Sequence, residues 1–152
     1  MNTGLKSVAT LFGIGLLPGP TGTWGSLAAL PPALILLASG GWPLLLLATI
    51  AVTILGWFSI ARHYGARADD DPREVVVDEL AGQWLALITT PMTITGVAAA
   101  FLAFRLFDIV KPWPASWADG KLKGPWGIML DDLFAGIYAA ASVTVLMWIG
   151  VL

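Results

Sequence analysis

Apolar positions run along this chain in long blocks, and polar positions are confined to the short breaks between them. A helix needs about 17–25 mostly apolar residues to cross a membrane. Every block except the first reaches that length, and the first contains Pro31 and Pro32. We therefore predict an all-α, polytopic membrane helical bundle of about five spans, in one domain over residues 1–152. The five blocks are residues 26–39, 43–61, 75–91, 94–110 and 127–151.

A shorter apolar segment, residues 7–17, precedes these blocks. It is too short to cross a bilayer, and we predict a short N-terminal interfacial or re-entrant helix there. Lys6 ahead of it is also typical of a signal peptide, but no small-x-small cleavage site follows, so we expect the segment to stay in the protein. The sequence leaves open whether 7–17 enters the bilayer and whether 26–39 crosses it.

The charged residues all fall on one side of the membrane when successive spans alternate in direction. The two turns on the opposite side, 39–43 and 89–95, contain no charged residue. Positively charged loops stay in the cytoplasm, so we predict that the charged side is cytoplasmic. The cations on that side are Lys6, Arg62, Arg67, Arg73, Lys111, Lys121 and Lys123.

Composition agrees with a membrane protein and removes several other classes. Of the 152 residues, 57% are hydrophobic and 12% are charged, a balance outside the range of ordinary soluble domains. The net charge of −2 and the lack of a basic run exclude a nucleic-acid partner. The chain has no cysteine, so disulfides and thiolate metal sites are excluded.

Five carboxylates fall at one depth in this arrangement, just inside the cytoplasmic face. They stand where the third span begins, where the fourth ends and where the fifth begins. Ionisable side chains at that depth are costly unless they are paired, wetted or bound to a cation. We therefore expect them to face the bundle or a water-filled cleft. These residues are Asp78, Glu79, Asp108, Asp131 and Asp132.

The third and fifth spans share a short pattern, DELAG at 78–82 and DLFAG at 132–136. In each, an Asp is followed by Ala and Gly three and four positions on, which places the three residues on one helix face. Small residues let helices approach closely. We therefore predict that Asp78 and Asp132 lie opposite each other.

Converging carboxylates repel one another, and a bound cation relieves that repulsion. Oxygen ligands without cysteine, and a single histidine outside the set, favour Mg²⁺ or Mn²⁺. In the alternative interpretation, Asp108 pairs with Arg105 and Lys111, each three positions away on its helix, and the other four acids only mark the water interface.

Residues 18–26, PGPTGTWGS, form a glycine-rich segment on the same side as the acids, leading into a helix. Its backbone N–H groups suit a phosphate, although plain helix initiation is the alternative. Arg105 and Lys111 also suit a phosphorylated ligand. We interpret His63 as a surface residue and Asp69–Asp71 as a solvated turn, without assigning either a role.

Four motifs together resemble one known family. GIGLLPGPTGTWGSLAALP, VVVDELAGQW, FRLFDIVKPWP and GIMLDDLFAG occur in the order found in the phosphatidylglycerophosphatase A family and span most of the chain. The resemblance implies a multi-pass enzyme of the bacterial inner membrane. It implies a Mg²⁺-dependent phosphatase that hydrolyses phosphatidylglycerophosphate to phosphatidylglycerol and inorganic phosphate, with a phospholipid in the bilayer as its partner.

The resemblance also implies roles for individual residues. Asp78, Glu79, Asp131 and Asp132 resemble the metal-binding and catalytic acids of the family. Asp108, as a further catalytic acid, matches the FR-x-x-D-x-x-KP element together with Arg105 and Lys111. The PG-x-x-GS loop supplies the remaining substrate-binding residues, which are Thr21, Gly22, Thr23, Gly25 and Ser26.

Several hypotheses remain open from the sequence. The preferred mechanism is attack by a metal-activated water on the phosphate, with an aspartyl-phosphate intermediate as the alternative. A small Mg²⁺ or proton-coupled membrane transporter is the rival function, because intramembrane acids also mark ion paths. Such a path would be incomplete, since the opposite half of the bundle offers only Ser, Thr and Gln83. The number of metals, the acyl-chain preference and the oligomeric state stay open.

Overall fold

The structure of the protein is a computed structural model that describes residues 3–152, except for the side chains at positions 66, 69 and 70. No strand occurs within the described residues, so the predicted all-α class is confirmed. Two short 3-10 segments, Ile14–Leu16 and Gly65–Asp70, lie between helices. The helices are α1 (Thr3–Ala9), α2 (Thr21–Tyr64), α3 (Val77–Leu87), α4 (Ile94–Val110), α5 (Ala115–Lys121) and α6 (Pro125–Trp148).

Helix α2 is a hairpin of two helical halves, 21–40 and 42–64. The chain reverses at Gly41, whose φ of 67° and ψ of −165° are not helical. A Cβ on Gly25 would lie 2.9 Å from the Cβ of Val76, and one on Gly56 would lie 3.0 Å from Val77. Val76 and Val77 are adjacent in the chain, so positions 25 and 56 of α2 lie close together. In a straight helix the two positions would be about 46 Å apart.

Within the part of the chain that the structure describes, two helices, α2 and α6, are long and apolar enough to cross a membrane. The prediction of about five spans is therefore not confirmed. Helix α3 has 11 residues, a length of about 16 Å, which is too short to cross. Nine of those residues are buried, so the apolar block at 75–91 reflects packing inside the protein rather than contact with lipid along its whole length.

The segment before α2 packs at the end of the bundle where α3 begins. The Val76 N–H donates a hydrogen bond to the Ala9 carbonyl at 3.0 Å, and the Ser59 hydroxyl donates to the Leu5 carbonyl. The short helix predicted within 7–17 is thus divided between the end of α1 and a 3-10 turn.

Helix α3 packs against both α2 and α6, and two glycines make the second contact close. A Cβ on Gly82 would lie 2.5 Å from the Asp132 carbonyl oxygen, and one on Gly136 would collide with the Gly82 carbonyl. The predicted close approach through small residues is therefore confirmed. This crossing brings the first turn of α3 alongside the acids of α6, and the end of α4 packs against the same part of α6.

Candidate active site

Three carboxylates from two helices meet at this crossing, and we call Asp78, Glu79 and Asp132 the three-carboxylate group. Each offers one oxygen that lies within 4.8 Å of the oxygens offered by the other two. Asp78 and Asp132 expose only 7% and 3% of their surface. The predicted opposition of Asp78 and Asp132 is confirmed, and Glu79 joins them because it follows Asp78 in the first turn of α3.

Each member of the group also has an oxygen without a protein partner. Asp78 Oδ1, Glu79 Oε2 and Asp132 Oδ2 are buried and accept no hydrogen bond from the described residues. A buried carboxylate is costly unless something compensates its charge. Hard divalent cations bind clustered carboxylate oxygens, so this donor set fits such an ion.

Arg105 lies beside the group and links α4 to the first turns of α2. A Cβ on Gly22 would lie 2.5 Å from Glu79 Oε1 and 3.0 Å from Arg105 Nη1. Arg105 Nη1 donates to the Ser26 hydroxyl at 3.4 Å, while its Nε is buried without a partner among the described residues. Gly22 thus lets Glu79 and Arg105 pack directly against α2, where a side chain would collide with them.

The other residues of the glycine-rich segment have different surroundings. The segment is not a loop beyond Pro20, because α2 begins at Thr21. Gly25 packs against Val76, and Thr21 lines a separate cavity of about 460 Å³ that includes Arg67. The Thr23 N–H donates to the Pro20 carbonyl. Gly22, Gly25 and Ser26 are therefore the predicted loop residues that the described contacts bring to Glu79 or Arg105, since a Cβ on Gly25 would also lie 3.5 Å from the Cβ of Glu79.

A second set of charges, which we call the lysine cluster, consists of Lys111, Asp119 and Asp131. Lys111 Nζ lies 2.6 Å from Asp131 Oδ2 and 2.7 Å from Asp119 Oδ1. Burial lowers the pKa of Lys111, but its hydrogen bonds to the two carboxylates outweigh this effect and raise the pKa above its usual range. Lys111 therefore remains a cation.

The lysine cluster changes the predicted role of Asp131. Its second oxygen, Oδ1, accepts the Asp132 N–H at 3.0 Å, so both oxygens already have partners. The metal set predicted from sequence included Asp131 beside Asp132, but the structure places it outside the three-carboxylate group. Consecutive residues on a helix point about 100° apart, and Asp131 consequently faces Lys111.

Asp108 stands between the two sets. It pairs with Arg105 at 2.5 Å across one helical turn, as the alternative interpretation predicted, whereas Lys111 turns away to the lysine cluster. The Asp108 charge also acts on Glu79 and Asp132. Asp108 is thus positioned to hold Arg105 at the edge of the three-carboxylate group.

Two residues that were given no role in the site from the sequence lie near these sets. Asp71 is an exposed residue with a positive φ of 47°. Partial desolvation of its carboxyl raises its pKa, with Lys111 acting in the opposite direction and Asp119 and Asp108 in the same direction. Gln83, one helical turn beyond Glu79, is completely buried, and its amide has no partner among the described residues. The Pro after Asp71 was the one local signal of an ordered turn.

His63 was given no role in the site from the sequence. His63 packs edge-on against Tyr64, with ring centroids 4.8 Å apart, and it is not part of the three-carboxylate group. The side chains of Asp69 and Asp70 lie outside the described part of the chain.

Comparison with known proteins gives consistent matches along most of the chain. The family model of Phosphatidylglycerophosphatase A matches residues 7–147. A Haemophilus influenzae protein named Phosphatidylglycerophosphatase A is 37% identical over 137 residues, which cover 90% of this chain and 84% of that relative. The Escherichia coli (strain K12) protein of the same name is 37% identical over 134 residues, covering 88% of this chain and 77% of the relative.

A third relative has a different name. A Bacteroides thetaiotaomicron protein, provisionally named a phosphatidylinositol-3-phosphatase, is 35% identical over 150 residues, covering 93% of this chain and 92% of that relative. No solved structure matches the chain. The family match and the identity shared with full-length relatives show that this chain belongs to the phosphatidylglycerophosphatase A family and is a phosphatase.

Proposed function

We propose that this chain hydrolyses phosphatidylglycerophosphate to phosphatidylglycerol and inorganic phosphate, with Mg²⁺ as its cofactor, at the cytoplasmic face of a bacterial inner membrane. The observation that carries the proposal is the three-carboxylate group, with its three unpartnered oxygens. A buried set of acids beside an arginine suits a phosphate bound through a divalent cation.

Asp78, Glu79 and Asp132 would hold the cation. Mg²⁺ is bound in proteins by a few carboxylates and completes its coordination with water and substrate phosphate, which fits a group of this size. When bound, the ion would place positive charge against the phosphate and lower the pKa of a water molecule.

Arg105 supplies positive charge from the protein itself. Its planar guanidinium suits two phosphoryl oxygens at once, and Asp108 holds it at 2.5 Å. Gly22 lets Arg105 and Glu79 approach the first turn of α2 closely, because no Cβ occupies that position. Ser26 accepts a hydrogen bond from Arg105 and so fixes the guanidinium toward α2.

Lys111 contributes mainly through Asp131. By neutralising Asp131, which lies next to Asp132 in sequence, it removes a fourth negative charge from the neighbourhood of an incoming phosphate. Asp131 in turn holds Lys111 in place at the end of α4. We therefore propose Asp131 and Lys111 as positioning residues, and Asp78, Glu79 and Asp132 as the residues that touch the cation.

The proposed cytoplasmic location rests on the charges around the site. Lys111 belongs to the site itself, and Lys6 pairs with Glu74 close to the start of α3. Positively charged segments next to membrane helices favour the cytoplasmic side. The substrate headgroup would then enter from the cytoplasmic leaflet.

The two rival functions differ in the support that they receive from related proteins. The transporter considered from the sequence is not supported, since the chain belongs to a phosphatase family. A phosphatidylinositol phosphate as the substrate is favoured by one relative, the Bacteroides protein. Both lipids carry a phosphate monoester, so the three-carboxylate group alone does not choose between them.

The test measures phosphate release from phosphatidylglycerophosphate in detergent micelles, with Mg²⁺ or with a chelator, beside phosphatidylinositol 3-phosphate. The variants are Asp132→Asn and, as a matched acid-to-amide control, Glu74→Gln. We expect Mg²⁺-dependent release from phosphatidylglycerophosphate that Asp132→Asn abolishes and Glu74→Gln preserves.

Each contrary result removes a different part of the proposal. Faster release from the inositol lipid would replace the substrate, and release that persists in chelator would remove the metal. Activity that survives Asp132→Asn would remove the site. An aspartyl-phosphate trapped with radiolabelled substrate would replace water attack by covalent catalysis.

A further inference from the structure

An apolar groove runs between the first half of α2 and α4. Its volume is about 490 Å³, and it is lined by leucines of α2 and by apolar residues of α4. The residues that matter for its position are Leu27, Leu30 and Leu34 on α2, and Val97, Ala98 and Phe101 on α4.

The groove begins next to Arg105 of the candidate active site. Arg105 and Ser26 join α4 to α2. Leu30 lies one turn beyond Ser26 on α2, and Phe101 lies one turn before Arg105 on α4. Residues four apart share a helix face, so the groove continues the surface on which Arg105 and Ser26 meet.

The groove has the shape and chemistry of a site for a hydrocarbon chain. From Phe101 to Ile94 it extends over seven residues of α4, or about 10 Å along the helix. Its side is open, because Leu27 is 40% exposed and Ile94 is 90% exposed. Thr93 is the one polar residue of its lining, at the far end, so nothing along its length would bind a polar ligand.

A second apolar cavity, of about 430 Å³, lies on the other side of the same half of α2. It touches α3 through Val77, Leu80 and Trp84. By helical spacing these three residues lie on the face of α3 opposite to Asp78 and Glu79. This cavity therefore faces away from the acids, and the groove beside α4 is the one that continues from the site.

We propose that the groove between α2 and α4 binds an acyl chain of the phospholipid substrate. This inference rests on the proposed function, since it assumes a phosphate monoester bound at Arg105 and the three-carboxylate group. A lipid held there by its headgroup has its chains directed away from the site and into the membrane. The groove receives one chain and thereby fixes how deep the phosphate lies against Asp78, Glu79 and Asp132.

The experiment fills the groove without touching the site. Ala98 is exposed on the groove wall, so Ala98→Trp adds bulk there at little cost to folding. Ala141→Trp is the matched control, because Ala141 is also exposed, on α6, and does not line the groove. Two constants are measured for each protein, which are KM for long-chain phosphatidylglycerophosphate and Ki for inorganic phosphate.

We expect Ala98→Trp to raise KM roughly tenfold while kcat stays within about twofold, as removal of ground-state binding does. Ki for inorganic phosphate should not change, since phosphate needs no chain site. Ala141→Trp should change neither constant. Equal KM values for the two variants would overturn the proposal that the groove binds an acyl chain and would leave the proposed function unchanged. A higher Ki for inorganic phosphate in Ala98→Trp would show that the variant acts through the active site, and would also overturn the groove proposal.

A second measurement does not depend on turnover. The wild-type protein is irradiated with phosphatidylglycerophosphate carrying a photoreactive group at the end of one acyl chain, and the labelled peptide is identified. Label within 92–101 or 27–34, reduced by excess unlabelled substrate, supports the groove. Label confined to other segments overturns it. Absence of phosphate release from the wild type in the first assay would instead refute the proposed function.

Discussion

The three-carboxylate group and the lysine cluster are neighbours built from the same kind of side chain, yet they are neutralised in opposite ways. In the lysine cluster, Lys111 lies within 2.7 Å of both carboxylates. In the three-carboxylate group, each acid keeps a buried oxygen that has no hydrogen-bond partner among the described residues. Lys111 is thus hydrogen-bonded to both carboxylates of the lysine cluster, whereas the three-carboxylate group is the set for which we propose a cation from solution.

The boundary between the two sets falls between adjacent residues. Asp131 and Asp132 follow each other on α6, and the helix directs them about 100° apart. Asp131 forms an ion pair with Lys111 at the end of α4, whereas Asp132 lies against the first turn of α3. Two neighbouring acids in a sequence motif thus need not have one role, because a helix presents them to different partners.

The largest expected effect separates these two aspartates. Asp132→Asn should lower kcat by about 10³-fold, the scale seen when a group stabilising transition-state charge is lost, and should abolish binding of Mn²⁺ used as a spectroscopic probe. Asp131→Asn should lower activity only about tenfold and keep Mn²⁺ binding. Comparable loss of Mn²⁺ binding in both variants would place Asp131 among the metal ligands and erase the distinction.

Gly22→Ala tests whether the close packing of Glu79 and Arg105 against α2 is needed. The added methyl group would lie 2.5 Å from Glu79 Oε1, so we expect roughly a 10²-fold loss of activity through displacement of a catalytic group. Thermal unfolding should be little affected, because alanine favours a helix.

Gly120→Ala is the control for Gly22→Ala, since nothing lies within 4 Å of a Cβ at that position. It should retain full activity in the same assay. Full activity in Gly22→Ala would mean that catalysis does not depend on the close contact of Glu79 and Arg105 with position 22.

Lys111→Met breaks the lysine cluster. It leaves Asp131, a mostly buried carboxylate, without its cation, and we expect a loss of about 1–3 kcal/mol of stability, less than for a fully buried pair because Lys111 is partly exposed. Activity should fall about tenfold as negative charge accumulates beside the phosphate.

Thermal unfolding and phosphate release measured on the same sample check the Lys111 prediction, with Lys121→Met as the exposed control. If Lys111→Met lost as much activity as Asp132→Asn while remaining as stable as wild type, Lys111 would itself contact the substrate.

The smallest expected effect is that of replacing Gln83, a buried polar residue one helical turn beyond Glu79. Its amide is fully buried and unpartnered within the described chain, so replacement by an apolar side chain of similar size removes a desolvation cost. Gln83→Met should stabilise the protein by about 1 kcal/mol and keep activity within about threefold. A drop of tenfold or more would show that the substrate or a bound water uses the amide.

Helix positions and the meeting of the acids could be predicted from the sequence. Apolar blocks located the two halves of α2 and helices α4 and α6, because long blocks of that kind form helices whatever surrounds them. The repeated Asp-x-x-Ala-Gly pattern predicted the approach of Asp78 to Asp132, since glycine is the signal of a close backbone contact.

Other features depended on tertiary contacts that the sequence does not state. An apolar run buried in protein looks the same as one buried in lipid, so α3 was predicted as a span. Lys111 was three positions from Asp108, but its left-handed backbone, with φ of 48°, ends α4, and the ammonium reaches residues 8 and 20 positions further on. Asp71 is exposed, in agreement with the predicted solvated turn, but folding also brings it near Lys111 and Asp119, which the sequence does not indicate.

The attachment of α1 has a practical consequence for anyone who prepares this protein. The Ala9 carbonyl accepts the backbone N–H of Val76, two residues before Asp78, and Ser59 fastens Leu5 to α2. A purification tag or a deletion that unfolds α1 would therefore displace the start of α3 and lower the activity. The protein could then be mistaken for an inactive enzyme. The other end of the chain, where α6 has run well past the acids, is the safer place for a handle.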